Sequence, residues 1–188
     1  MVKVAVFVSG GGTNLQAILD AQSDVIRSAK VALVVSSSAD AYALQRAEKY
    51  GVPGVVLRDE AEIQRTLEEH GIELIVLAGY MRILSAEFTA RWDKSILNVH
   101  PSLIPSFCGK GMYGLHVHEA ALAKGVKVTG ATVHFVNEVP DGGEIIYQKA
   151  VEIEPDDTPE TLQRRVIEQA EWILLPRAIE KVAKEMLA

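Results

Sequence analysis

The sequence contains little cysteine, no long apolar segment and no excess of positive charge. Its 188 residues include one cysteine, Cys108, which excludes an intramolecular disulfide and is typical of a reducing compartment. No segment approaches the roughly 18 apolar residues that a membrane-spanning helix needs, and the apolar N-terminal run is too short for a secretory signal. A formal net charge of -6 argues against a broad surface for tRNA or DNA. We therefore expect a cytoplasmic protein that binds neither membranes nor nucleic acids.

Apolar strand patterns alternate with helical patterns over most of the chain. The run Val2–Val8 is rich in valine, which is typical of a strand buried on both faces, and a helical spacing begins at Leu15. Such alternation predicts right-handed crossovers and a parallel sheet. We therefore predict a single domain over residues 1–188 with an α/β, Rossmann-like, doubly wound fold. The predicted strands are Val2–Val8, Val31–Val35, Val55–Leu57, Glu73–Ala78, Ser95–Val99, Lys127–Val136 and Glu144–Val151. The helices predicted after the one that begins at Leu15 are Tyr42–Tyr50, Glu60–His70, His116–Lys124 and one long helix from Thr158 with a kink at Pro176.

Three loop segments follow predicted strands at their carboxyl ends. They are Ser9–Asn14, Ala78–Arg82 and Asn98–Pro105. Ligands of doubly wound sheets bind at this edge, so we expect the three segments to lie close together and to form the site.

The segment Ser9–Asn14 carries three consecutive glycines between a strand and a helix. Glycines let a backbone approach a ligand closely, and the free N–H groups at a helix N-terminus attract a phosphate. A dinucleotide fingerprint is absent, because Leu15 stands where its third glycine is needed and no acidic residue ends the second strand. The loop indicates a phosphate site for a mononucleotide-like substrate, and a glycine-rich turn without a ligand is the alternative.

Asn98, His100 and Asp141 carry the side chains that acyl transfer requires. An amide or an imidazolium stabilises a tetrahedral oxyanion, and a carboxylate or an imidazole accepts the proton of an attacking amine. Structural explanations stay open, since a histidine beside a proline is often structural and Asp-Gly is a common turn. An Asp–His pair titrates as a unit, so the sequence leaves open which residue holds the proton.

The remaining histidines and Cys108 are weaker candidates. His134 alternates with apolar residues in a predicted strand, so it either orients a catalytic group or fills the core. His116 and His118 lie two residues apart at a helix start without cysteine or acidic partners, and we expect no metal site. A nucleophilic role for Cys108 would need a base that the sequence does not identify.

Four motifs occur in order along the chain. They are Val-Ser-Gly-x-Gly-Thr-Asn-Leu-Gln-Ala-Ile at Val8–Ile18, Leu-Ala-Gly-Tyr-Met-Arg-Ile-Leu at 77–84, Asn-Val-His-Pro-Ser-Leu-Ile-Pro at 98–105, and Thr-Val-His-Phe-Val with Asp-Gly-Gly within 132–143. With these motifs the chain resembles, essentially end to end, the glycinamide ribonucleotide transformylase family of folate-dependent formyltransferases. The resemblance implies the formyltransferase fold, in which the mostly parallel sheet has an antiparallel strand near the C-terminal half.

The resemblance also implies a reaction and a set of site residues. The glycyl amine of glycinamide ribonucleotide would attack the formyl group of 10-formyltetrahydrofolate, without a metal. Asn98 and His100 would stabilise the oxyanion, and Asp141 would set the charge of His100 and help to move the proton. The family pattern assigns the substrate phosphate to Gly12, Thr13 and Asn14 and a ribose hydroxyl to Glu171. It assigns the folate pocket to Met81, Arg82, Ile83, Leu84, Asn98 and Asp141. For Ile83 and Leu84, the alternative is that they simply belong to the hydrophobic core.

Two segments depart from the family pattern. The residues around Glu171 read Gln-Ala-Glu-Trp in place of the more usual Gln-Glu-His. Ser106–Tyr113 adds residues before Gly114, where many relatives have a short Pro-Gly-Leu-His segment. This loop either brings Lys110 to a phosphate or is simply longer and mobile, and we favour the second interpretation.

Three other functions compete with formyl transfer to the ribonucleotide. Methionyl-tRNA formyltransferase would need a further domain and a basic surface, and formyltetrahydrofolate hydrolase would carry a regulatory domain before the first strand. A non-catalytic module that binds a phosphoribosyl group or folate would use the same cleft. The presence of all three polar residues favours the transferase, as a monomer or a homodimer, while its order of binding and rate-limiting step stay open.

Overall fold

Strands and helices alternate along residues 1–188, all of which the computed structural model describes. In the first half of the chain, each strand is followed by a helix that carries the chain back to the edge of the sheet where the strand began. The elements are β1 (Val2–Val8), α1 (Thr13–Asp20), β2 (Ala29–Ser36), α2 (Tyr42–Lys49), β3 (Gly54–Val56), α3 (Glu60–His70), β4 (Leu74–Leu77), α4 (Ala86–Arg91), β5 (Ile96–His100), α5 (Leu115–Lys124), β6 (Val128–Phe135), β7 (Ile145–Glu152), α6 (Pro159–Val166), a π-helix (Ile167–Glu171) and α7 (Trp172–Leu187).

The strands form one seven-stranded sheet in the order β3-β2-β1-β4-β5-β6-β7. Strands β1 to β5 pair in parallel, whereas β6 runs antiparallel to both of its neighbours, β5 and β7. The strand order changes direction between β1 and β4, which is the switch point where doubly wound sheets bind ligands. The predicted doubly wound fold with one antiparallel strand is confirmed.

The apolar run of β1 is buried because helices cover both faces of the sheet. Val4 and Val6 belong to a cluster of 30 buried residues that includes α1 and the C-terminal helices. Ala5 and Phe7 point to the other face and join a cluster of 12 buried residues that includes α3 and α4. Alternate side chains of one strand therefore enter two separate cores. No helix is both long enough and apolar enough to cross a membrane.

The C-terminal helical region differs from the single long helix that the sequence predicts. It begins as predicted, with Thr158 accepting a hydrogen bond from the Thr161 N–H and Pro159 in the first turn. A five-residue π-helix, Ile167–Glu171, then separates α6 from α7. A π-turn adds one residue to a helix, and apolar spacing alone does not reveal it.

Two further features of the helices are local. Pro176 lies inside α7, which continues to Leu187. The missing Pro176 N–H would have bonded to the carbonyl of Trp172, the first residue of α7. Helix α4 was not predicted, because six residues are too few for an apolar period, although Ser85 caps it by accepting a hydrogen bond from the Phe88 N–H.

Candidate active site

The loops that follow β1, β2 and β4 meet at the carboxyl edge of the sheet. The hydroxyl oxygen of Ser9 lies 2.6 Å from that of Ser37 and accepts a hydrogen bond of 2.9 Å from the Met81 N–H. The expected convergence of the segments after β1 and β4 is therefore present at the switch point.

Asn98 and His100 lie two residues apart on β5, so their side chains project to the same side of the strand. The antiparallel register pairs Asn98 with His134 on β6. The Nδ1 of His134 lies 2.8 Å from the Phe135 carbonyl and donates to it, which leaves Nε2 to accept from the Asn98 amide nitrogen at 3.3 Å. An amide nitrogen carries two N–H groups, and the second stays available to a ligand.

Asp141 completes the cluster from the connection between β6 and β7. Its Oδ2 lies 3.5 Å from the His100 Nδ1 and its Oδ1 lies 3.6 Å from the His134 Nε2. The connection can bend back over the strands because Gly143 has no side chain, since a Cβ at this position would lie 1.7 Å from the Phe135 carbonyl oxygen. The three polar residues that the sequence singles out therefore lie together.

The environment of Asp141 favours its ionised form. Burial is the largest influence and raises the pKa, but His134, the Gly109 N–H and His100 together lower the pKa of Asp141 below its ordinary 3.8. The buried ring of His100 faces an acceptor at each nitrogen, with the Phe107 carbonyl oxygen 2.8 Å from Nε2 and Asp141 on the Nδ1 side. The ring donates to both acceptors only as an imidazolium.

A third imidazole, His118 on α5, is buried without a hydrogen-bond partner at either ring nitrogen. Burial, followed by the charge of His100, lowers the pKa of His118 to about 4. This ring is therefore neutral at physiological pH. The two-residue spacing between His116 and His118 does not predict that His118 is buried near His100, because its burial depends on how α5 packs.

The glycine loop presents free backbone N–H groups. Gly12 has a left-handed φ of 72°, and α1 begins at Thr13 without a side-chain cap. A Cβ at Gly12 would lie 2.6 Å from the Ala43 Cβ, so both backbone conformation and packing require glycine here. The loop therefore has exposed N–H groups at its helix N-terminus and a path that only glycine can follow.

Glu171 lies beside this loop although it is distant in sequence. Its Oε2 accepts a hydrogen bond of 2.7 Å from the Asn14 amide nitrogen, while the Asn14 Oδ1 is buried without a partner. Burial raises the pKa of Glu171 to about 7, although the bond from Asn14 acts in the opposite direction. The π-helix ends at Glu171, and π-helices are frequent at functional sites.

Sequence reasoning missed Arg46 on α2. Its Nε donates to the Gly11 carbonyl at 2.8 Å, its Nη1 donates to Gln16 at 2.9 Å, and its guanidinium lies over the Tyr42 ring. It forms no salt bridge with an acidic residue, and it lines a cavity of about 190 Å³ with Thr13. Arg46 lies in the last turn of an exposed helix, and nothing in the sequence indicates that such a residue contacts the glycine loop.

The segment after β4 is exposed except at its end. Ile83 is 88% exposed and Met81 is 61% exposed, whereas Leu84 packs in the core. The core alternative is therefore correct for Leu84 and wrong for Ile83. Arg82, with Ile83 and Leu84, lines a cavity of about 250 Å³ on this side of the site.

The added segment Ser106–Tyr113 turns its backbone toward the polar cluster. The Gly109 N–H donates to Asp141 at 2.9 Å. Lys110 is exposed, and burial followed by the Asp141 charge raises the pKa of the Cys108 thiol, which disfavours a nucleophilic thiolate. No group of three or more His, Cys, Asp or Glu side chains is arranged to hold a metal ion.

Comparison with known proteins gives consistent matches. A sequence model of the formyl transferase family matches residues 2–179. The chain is 44% identical to the trifunctional purine biosynthetic protein adenosine-3 of Gallus gallus, over 97% of this chain and 18% of that protein. It is 42% identical to phosphoribosylglycinamide formyltransferase of Haemophilus influenzae, over 96% of this chain and 86% of that protein.

Solved structures give the same result. The structure of glycinamide ribonucleotide transformylase 1 from Symbiobacterium toebii matches with a TM-score of 0.90 at 40% identity, over 98% of this chain and 89% of the other. The chain spans only 18% of the length of the first curated relatives that it matches, which are trifunctional proteins.

Proposed function

The chain belongs to the formyl transferase family, and from this premise we infer that it is a phosphoribosylglycinamide formyltransferase of purine biosynthesis. One observation carries the inference within the family: the Asn98 amide and the Asp141 carboxylate both lie beside His134, and Asp141 also lies beside His100, at the carboxyl edge of the sheet that carries the glycine loop. The formyl donor in this proposal is 10-formyltetrahydrofolate.

The proposed mechanism assigns each catalytic residue one task. The glycyl nitrogen forms a bond to the formyl carbon, and the carbonyl oxygen becomes an oxyanion. The free N–H of Asn98 donates to that oxyanion, and the His100 imidazolium supplies positive charge beside it. Asp141 keeps His100 charged and accepts the amine proton, directly or through water. The bond from the formyl carbon to the folate nitrogen then breaks, and that nitrogen takes up a proton to give tetrahydrofolate.

The polar contacts of Asp141 support this division of tasks. Its carboxylate lies between His100 and His134, and it stabilises a positive charge on His100, because the His134 Nε2 accepts from the Asn98 amide. His134 contributes by holding the Asn98 amide, which fixes the direction of the remaining N–H. In this proposal His134 orients Asn98 and does not contact the reacting atoms.

The proposal takes the remaining substrate contacts from the family pattern and adds Arg46. The phosphate of the ribonucleotide binds the N–H groups of Gly12, Thr13 and Asn14, with the guanidinium of Arg46 at the side of the loop. The Glu171 carboxylate accepts a hydrogen bond from a ribose hydroxyl. The folate lies against Met81, Arg82, Ile83 and Leu84 and reaches Asn98 and Asp141.

Several attributes stay predictions. A cytoplasmic location, the absence of a bound metal and of nucleic-acid partners, and a monomeric or homodimeric state are expected. For trifunctional relatives, the further activities of the whole protein do not transfer to this chain.

The production of tetrahydrofolate tests the proposal. We expect it to form from 10-formyltetrahydrofolate only when glycinamide ribonucleotide is present. Folate turnover without the ribonucleotide would indicate a hydrolase, and no turnover in either case would indicate a binding module.

A further inference from the structure

We propose that the backbone of Phe107–Gly109 is a clamp that positions His100 and Asp141 as an ion pair, so that part of the added loop is a positioning element of the active site. The inference rests on the proposed function for its effect on turnover. Its effect on the ion pair itself does not depend on that function.

The clamp makes one contact with each member of the pair. The Phe107 carbonyl accepts from the His100 Nε2 at 2.8 Å, and the Gly109 N–H donates to the Asp141 Oδ2 at 2.9 Å. That same carboxylate oxygen faces the His100 Nδ1 at 3.5 Å. One short segment therefore bonds to the far side of the imidazole and to the carboxylate that approaches its near side.

The backbone has a left-handed residue at each end of the clamp. Phe107 has a φ of 50° and Gly109 has a φ of 88°. Left-handed conformations at these positions turn the chain just before the Phe107 carbonyl and just after the Gly109 N–H. The loop is held at its base, because the Ser102 hydroxyl donates to the Ser106 carbonyl and the Cys108 thiol donates to the Pro105 carbonyl at 3.2 Å.

The chemistry of the two contacts favours the charged pair. A carbonyl can only accept, so it holds a proton on the His100 Nε2, and the second proton that makes the ring an imidazolium then lies on Nδ1, facing the Asp141 carboxylate. An N–H can only donate, so it stabilises the Asp141 carboxylate over the neutral acid. The other titratable groups that face the pair are His134 from β6, His118 from α5 and Cys108 from the loop itself.

The structure offers a matched pair of glycines for the test. Gly109 and Gly111 both have a positive φ, of 88° and 84°, and open space where a Cβ would lie. Only the Gly109 N–H bonds to Asp141. Gly109→Pro therefore removes the clamp N–H, while Gly111→Pro imposes a similar backbone strain and leaves the clamp bond.

Nuclear magnetic resonance of the ligand-free protein gives the first readout. We expect the titration midpoint of the Asp141 carboxyl to rise in Gly109→Pro and to stay at the wild-type value in Gly111→Pro. An unchanged Asp141 midpoint in Gly109→Pro would overturn the proposal. This arm needs no turnover, so it separates a failure of the clamp from a failure of the proposed function.

Steady-state kinetics gives the second readout. Loss of a hydrogen bond to a charged group predicts a kcat about 10- to 100-fold lower in Gly109→Pro, with KM for both substrates within about 3-fold of wild type. Gly111→Pro should keep kcat within about 3-fold. Equal losses of kcat in the two variants would show that only loop integrity matters and would contradict the clamp.

An ester at the bond before residue 109 keeps the test decisive if the proline variant does not fold. Incorporation of glycolic acid at this position replaces the N–H by oxygen and tolerates the same φ. We expect this protein to show the raised Asp141 midpoint and the lowered kcat. Wild-type values in the ester protein would refute the proposal.

Discussion

The substitution Asp141→Asn removes the negative charge between the two imidazoles with little change in shape. Asparagine tolerates the left-handed φ of 55° that Asp141 adopts, so the turn is expected to keep its conformation. The expected loss is therefore electrostatic. His100 would lose the carboxylate that holds its second proton, and the reaction would lose the acceptor for the amine proton.

The magnitude follows from the separation of the two charges. Two unit charges at the observed 3.5 Å attract by about 5 kcal/mol at an effective dielectric constant of about 20. The Asp141 side chain is 14% exposed, so solvent weakens this figure and we use a range of about 3–5 kcal/mol. This range corresponds to a kcat about 100- to 10,000-fold lower at neutral pH.

The assay compares initial rates of tetrahydrofolate formation with thermal unfolding of the same samples. Asp156→Asn is the matched control, because Asp156 is exposed and lies in the loop before α6, outside the site. We expect wild-type turnover in the control and a melting temperature in Asp141→Asn within a few degrees of wild type. A kcat within about 5-fold of wild type in Asp141→Asn would refute the role of the carboxylate.

Three other substitutions test separate parts of the site. Arg46→Met should raise KM for the ribonucleotide about 10-fold. Lys49→Met removes the other cation over the Tyr42 ring and should leave KM unchanged. With a substrate that lacks the phosphate, the two variants should have the same KM. Asn98→Ala should lower kcat about 100- to 1,000-fold in steady-state assays because an oxyanion donor is lost, and a loss expressed only in KM would argue against that role. The pKa of Glu171 is raised from 4.5 to about 7, so its burial costs stability progressively as the pH rises through this window. Glu171→Gln should therefore raise the free energy of unfolding at pH 8 by up to about 3 kcal/mol in denaturant titrations, and it should weaken binding of the ribonucleotide. An unchanged or lower stability at pH 8 would contradict the raised pKa of a buried Glu171.

The parallel part of the fold was predictable because local patterns determine it. Val2–Val8 is apolar at every position but Lys3, and only a strand covered on both faces buries such a run. The Gly12 turn and the Thr158 cap are also local signals, and both occur where the sequence places them.

Contacts that depend on register or on tertiary packing were harder to predict. Asn98 and His100 share one side of β5 by simple alternation, but their contact with His134 depends on the antiparallel register of β6. The position of Arg46 against Gly11 depends on how α2 packs, and the π-turn before Trp172 adds one residue that apolar spacing does not detect. Asp141 was a candidate from the sequence alone, but only the resemblance to a family joined it to Asn98 and His100, because an Asp-Gly turn carries no local sign of a partner.

The added loop shows the same limit most clearly. The interpretation of Ser106–Tyr113 as a longer and mobile loop does not include the two contacts that the structure shows, from the Gly109 N–H to Asp141 and from His100 to the Phe107 carbonyl. Backbone groups make these contacts, and backbone groups are the same in every sequence. Side-chain identity therefore gave no signal of them.

Transfer of an isotopic label tests the central claim most directly. The protein would be incubated with 10-formyltetrahydrofolate carrying carbon-13 in the formyl group, together with glycinamide ribonucleotide, and the products analysed by mass spectrometry. The account predicts one labelled formyl group on the ribonucleotide for each tetrahydrofolate formed. Labelled formate with an unmodified ribonucleotide would contradict it.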